Sequence, residues 1–135
     1  QLSAGRLTHD VSENSGGMKG NMYQASYDDV IMDDPATAKE RERLLFDRSI
    51  DMLAMARDKG PQSRESVEAL YFTMRLWTIL IEDLGATENA LPAELRAGLI
   101  SIGIFILKEV QKIRIGESTD YDGLIEITRT VRDGI

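Results

Sequence analysis

Acidic side chains are the most abundant candidates for chemistry in this chain. Asp28-Asp29 and Asp33-Asp34 set carboxylate oxygens side by side, a donor type that suits Mg²⁺ or Ca²⁺, and Asp47, Asp51, Glu82 and Asp83 add more on helical stretches. Their spacing points away from metal. The Ca²⁺-loop pattern with ligands at alternate positions is missing, and no Glu-x-x-His pair offers the donor set of a di-iron bundle. Acidic pairs at the start of a helix have a simpler role, since the macrodipole favours negative charge there. The only histidine is His9 and there is no cysteine, so the folded part lacks an imidazole and thiolate sites are excluded. Gly16-Gly17 precedes no strand and makes no phosphate loop. No nucleophile, base or metal-ligand set assembles. The expectation is a protein that is not an enzyme and needs no cofactor or metal.

What the sequence has in excess is apolar helix surface. Leu99-Ile100-Ser101-Ile102-Gly103-Ile104-Phe105-Ile106-Leu107 carries no charge, and in helical register its large side chains point in every direction. Such a helix has to be enclosed by its own chain or by a partner. Nine residues bracketed by Arg96 and Lys108 are too few to cross a bilayer. Pro92 opens this helix, Lys112 and Arg114 suit its last turn, and Gly116 stops it. Gly98 and Gly103 allow a neighbouring helix to come close, and the expectation is that Leu99 to Leu107 forms the buried axle of the fold.

Three further helices follow from the same signals. Asp34-Pro35 is a cap followed by a first-turn proline, opening a helix that Gly60-Pro61 ends. Its expected buried stripe is Ala38, Leu45, Ser49, Met52, Leu53 and Ala56, with Lys39-Glu40-Arg41-Glu42-Arg43 as a solvated face. Ser63 caps a helix reaching Leu84, where Val67, Leu70, Met74, Trp77, Ile81 and Leu84 alternate steps of three and four. A second strip on it, Phe72, Leu76, Ile79 and Leu80, calls for cover on another side. A last helix runs from about Asp120 to Asp133. Upstream, Ser26 offers a start for a short helix with Tyr23, Tyr27, Val30 and Ile31 on its apolar side. No alternating strand pattern and no repeat is present. The fold class is therefore all-α, a small bundle of one short N-terminal helix, three long helices and a C-terminal helix.

Composition is that of a soluble globular domain, 42% apolar and 29% charged. Residues 1–21 are polar and read as a disordered N-terminal extension, leader sequence or a remnant of expression, with the single domain spanning 22–135. Net charge is −7, and the same −7 holds for residues 22–135 alone, with 14 basic against 21 acidic residues. Such a balance gives no general attraction for nucleic acid or anionic lipid. The methionines Met32, Met52, Met55 and Met74 suit an adaptable partner surface as well as core filling.

Several stretches together resemble a family. Met22-Tyr23-Gln24 with Tyr27, Glu40-Arg41-Glu42-Arg43-Leu44-Leu45, Asp47-Arg48-Ser49-Ile50, and Glu68-Ala69-Leu70-Tyr71-Phe72-Thr73 look like the flagellar biosynthesis regulator FlaF of alphaproteobacteria. Arg75-Leu76-Trp77-Thr78-Ile79-Leu80-Ile81-Glu82-Asp83-Leu84, Glu88-Asn89-Ala90-Leu91-Pro92, Leu95 to Gly103, and the ending Leu124-Ile125-Glu126-Ile127 with Arg132-Asp133-Gly134 extend the likeness over Met22 to Ile135. The resemblance implies a cytoplasmic secretion chaperone that binds flagellin, acts with the regulator FlbT, and couples flagellin synthesis to flagellum assembly. Flagellin termini are amphipathic helical segments, so a helix-in-groove site is the expected device. From the two-sided apolarity of the Trp77 helix, the expected partner-binding residues are Tyr23, Tyr27, Tyr71, Phe72, Leu76, Trp77 and Ile79, with Met52 and Met55 at the margin. Two other readings stand beside this one. An RNA-linked regulator of flagellin translation needs Arg41, Arg43, Arg48, Arg75 and Arg96 gathered on one face. A homodimeric scaffold closes its apolar surface with a second copy.

Overall fold

The computed structural model describes residues 35–134, which fold into four helices: α1 (Pro35–Lys59), α2 (Arg64–Leu84), α3 (Ala93–Arg114) and α4 (Tyr121–Gly134). No strand occurs among the described residues. The short helix expected from Ser26 lies outside them.

Each helix ends where local chemistry ends it. Gly60 takes φ +98°, a conformation that disfavours residues with a Cβ, and its N–H returns to the Ala56 carbonyl at 2.8 Å. Ser63 then works in both directions. Its hydroxyl donates to the Gly60 carbonyl at 2.6 Å and accepts the Ser66 N–H at 3.1 Å, so one side chain closes the turn and caps α2. The end of α3 is a Schellman motif. Gly116 sits at φ +83°, its N–H donates to Ile113, and the Glu117 N–H donates to Lys112. Asp120 caps α4 by accepting the Gly123 N–H at 3.0 Å.

The helices run up and down in sequence. Phe46 meets Trp77 with ring centroids 5.9 Å apart, and the Ser49 and Thr73 hydroxyls are 2.9 Å apart, which sets α1 antiparallel to α2. At the other side of α1, Arg57 donates to Asp122 at 2.8 Å and Arg132 to Asp47 at 2.6 Å, so α4 is antiparallel to α1. These bonds raise both guanidinium pKa values, through the hydrogen bond to Asp122 for Arg57 and to Asp47 for Arg132. Close packing joins α1 to α2, α2 to α3, and α1 to α4. The seam between α3 and α4 is the loose one.

The core differs from the expected stripes in instructive ways. Leu53, Ala56 and Ser49 are buried as expected, and Leu45 and Met52 are half-buried, but Phe46 and Ile50 also belong to the core. They broaden the buried face of α1 because it packs against two helices. Glu42 is fully buried, so the charged run from Lys39 to Arg43 is not a uniformly solvated face. On α2, Val67 is 66% exposed instead of lying in a packed seam, while Leu76, Ile79 and Leu80 of the second strip are all buried. The expected axle is corrected too. Leu99 and Ile106 are buried, yet Ile104 and Phe105 are 44% and 50% exposed, because α3 has only α2 as a close neighbour. The central helix on that side is α2. Gly103 makes the close approach expected of it: a Cβ there would stand 2.9 Å from Ile81 side-chain carbons and 3.0 Å from Trp77 Cε3. Gly98 faces open space.

Candidate partner-binding surface

The nine residues expected at a partner site divide into separate places. Tyr23 and Tyr27 lie outside the described residues. Leu76, Trp77 and Ile79 are 2%, 0% and 6% exposed, members of the bundle's own core, so no partner reaches them while the bundle is closed. Phe72 is half-buried on the α1 side of α2, where the Arg48 guanidinium covers its ring at 5.5 Å. Met52 and Met55 line a shallow hollow between α1 and α2 whose rim is Asp51, Glu65 and Glu68. Tyr71 stands at the surface on the α3 side, 60% exposed.

Around Tyr71 the structure assembles an apolar groove. Val67, Tyr71 and Met74 stand at i, i+4 and i+7 on α2, Ile113 and Arg114 come from α3, and Leu70 forms the floor. The groove measures about 430 Å³. Beneath it, the Ser66 and Tyr121 hydroxyls lie 2.6 Å apart and buried, which ties the start of α4 to α2. Val67 and Tyr71 are largely uncovered, 66% and 60% exposed; sequence reasoning expected Tyr71 at a partner surface but put Val67 in a packed seam, because Val67 fits its spacing.

A second apolar groove, about 460 Å³, runs along the loose α3–α4 seam between Ile102 and Phe105 on one side and Ile127 and Val131 on the other. A polar contact closes this seam at the loop between the two helices, where Ser118 donates to Glu109 at 2.8 Å.

Among the described residues no group of three or more His, Cys, Asp or Glu side chains is placed to hold a metal ion. No helix among them is long and apolar enough to cross a membrane. Two of the arginines that an RNA-binding face requires are engaged within the bundle: Arg48 covers Phe72, and Arg96 donates to the carbonyls of Leu91 and Leu84, bracing the loop between α2 and α3. What the surfaces offer is shape and apolar area.

No curated protein and no solved structure matches the chain. A family pattern does match, over residues 23–135, and covers α1 to α4 completely. The chain belongs to the family described as flagellar protein FlaF.

Proposed function

We propose that this flagellar protein is a flagellin-binding secretion chaperone and a regulator of flagellin synthesis, and that it takes an amphipathic helical segment of a flagellin terminus in the groove at Tyr71. One observation carries the reading. Val67, Tyr71 and Met74 present an apolar row at helical spacing, largely bare on α2, above a floor of Leu70 and Ile113. An amphipathic helix buries its own apolar stripe in such a groove through anchors at the same spacing. Met74 adapts to the shape of its partner, and the Arg114 guanidinium at the groove's edge suits an acidic residue on the incoming helix. Work with FlbT in the cytoplasm, coupling flagellin synthesis to flagellum assembly, is part of the same proposal. The acidic net charge of −7 weighs against direct contact with flagellin message.

The test is capture of purified flagellin, full-length or lacking either terminus, by this protein and by its Tyr71→Asp variant. A charge in an apolar anchor position is expected to weaken binding by about tenfold or more. Loss of capture with one truncated flagellin then names the terminus. Undiminished capture by Tyr71→Asp moves the site elsewhere, and a solution mass of two chains that Tyr71→Asp reduces to one gives the row to a second copy instead.

A further inference from the structure

One corner of the bundle has walls and no helix. Arg132 near the end of α4 meets Asp47 of α1 and α4 stops at Gly134, so α1 from Pro35 to Leu44 continues past α4 for about 15 Å at 1.5 Å per residue. α3 continues past it as well. Ile102 and Phe105 face Ile127 and Val131 of α4, and Leu95 and Gly98 lie one heptad further back on the same face. The wall they form is apolar and bare: Leu95 is 49% exposed, Phe105 is 50% exposed, and a Cβ at Gly98 would meet nothing within 4 Å.

Residues 22–34 join α1 at this end. We propose that this segment docks in the corner that α4 leaves, with Tyr23, Tyr27, Val30 and Ile31 against Leu95, Ile102 and Phe105 of α3.

Three observations select this occupant. Tyr23, Tyr27, Val30 and Ile31 fall at i, i+4, i+7 and i+8, one apolar face, with Asp28 and Asp29 on the opposite side toward water. Thirteen residues span about 20 Å as helix and about 43 Å extended, so either form reaches the length of the corner. The family pattern begins at residue 23, not at the first residue of α1, so segment and bundle are matched as one unit. A helix from another molecule would also have to displace a segment held beside the corner by its own peptide bond, at the high effective concentration of a short tether. The Tyr71 groove lies toward the opposite end, beside Pro61, so docking here leaves it open.

Disulfide trapping in the full chain, without flagellin, tests the proposal independently of the reading above. The chain has no cysteine, so two introduced thiols are the only ones. Tyr27→Cys/Phe105→Cys and Val30→Cys/Leu95→Cys are compared with Tyr27→Cys/Tyr71→Cys under the same oxidant. Tyr71 and Phe105 are similarly exposed, at 60% and 50%, so accessibility is matched. At least one corner pair is expected to close within the chain about tenfold faster than the control, because a disulfide needs the two Cβ atoms about 4 Å apart. All four substituted positions on the corner pairs are exposed or precede α1, and helix content by circular dichroism checks that the fold is kept. Corner pairs no faster than the control overturn the proposal. So does cross-linking at Phe105 or Leu95 that doubles the chain mass, which would seat a second copy there.

Discussion

Helices α2 and α3 are alike in sequence and unlike in place. Each is long, each is apolar on more than one face, and each is followed by a short connection. Yet α2 buries Leu70, Leu76, Trp77, Ile79, Leu80 and Leu84, whereas the large apolar side chains α3 buries are Leu99, Ile106, Val110 and Ile113. Leu95, Ile104 and Phe105 stay at the surface. The difference is the number of neighbours. α2 lies between α1 and α3, and α3 has α2 on one side and the short, loosely packed α4 on the other. All-round apolarity therefore states that a helix requires cover, and the topology decides which helix receives it from its own chain.

Trp77→Ala breaks this comparison most forcefully. The indole is fully buried between α1 and α3, in contact with Phe46, and its removal leaves a cavity that the rings and branched side chains around it cannot fill. The expected loss is about 3–5 kcal/mol, read as a lower urea midpoint with the slope unchanged. A loss below about 1 kcal/mol would mean that α2 is not the central helix.

The limits of sequence reading follow the same line. Helix boundaries were legible to within a residue or so, because they rest on local chemistry: Pro35, Gly60, Ser63, Gly85, Pro92, Gly116 and Asp120 act through their own backbone and nearest neighbours. Leu53, Ala56, Leu70 and Leu84 were legible as core because a stripe facing any neighbour has the same period. Central and peripheral helices were not, because that depends on which pairs pack. The expected site suffered most. Leu76, Trp77 and Ile79 were placed at a partner surface on the argument that too few helices remained to cover them, and α1 and α3 cover them. Tyr71 stays accessible because it points away from α1 at a level where α1 packs on the opposite side of α2, and periodicity along α2 does not encode which side a neighbour takes.

A paired glycine experiment sharpens the contrast between the two sides of α3. At Gly103 an added methyl would press on Ile81 at 2.9 Å and Trp77 at 3.0 Å. The isoleucine tip has room to turn, but the buried indole does not, so overpacking of about 1–3 kcal/mol outweighs the gain of about 1 kcal/mol in helix propensity. Gly103→Ala is expected to lower the thermal midpoint. Gly98→Ala meets nothing within 4 Å and gains the propensity, so its midpoint is expected to rise. The same sign for both would show that the two faces of α3 are not distinct.

Tyr121→Phe addresses a bond that joins α4 to the buried end of α2. It removes the partner of the Ser66 hydroxyl, 2.6 Å away and out of water, at a cost of about 1–2 kcal/mol. Ser66→Ala in the same background is expected to restore part of that loss, since the orphaned hydroxyl goes with it. Independent, additive losses would show that the two groups are not bonded.

The smallest expected effect says most about α3. Ile104 stands on its outer side, 44% exposed, one step from Gly103, which is buried against α2. If all-round apolarity reflected a buried axle, Ile104→Gln would place an amide in the core and cost several kcal/mol. The observed exposure gives the opposite expectation. Glutamine propagates a helix as well as isoleucine, its amide stays hydrated, and only partial contact with half-buried Ile100 and Leu107 is lost, so stability is expected to change by no more than about 0.5 kcal/mol. Equilibrium urea unfolding resolves that difference from a core penalty easily. A change of 2 kcal/mol or more, about the penalty of a core site, would put Ile104 under cover from the rest of the protein, and α3 would then be enclosed like α2.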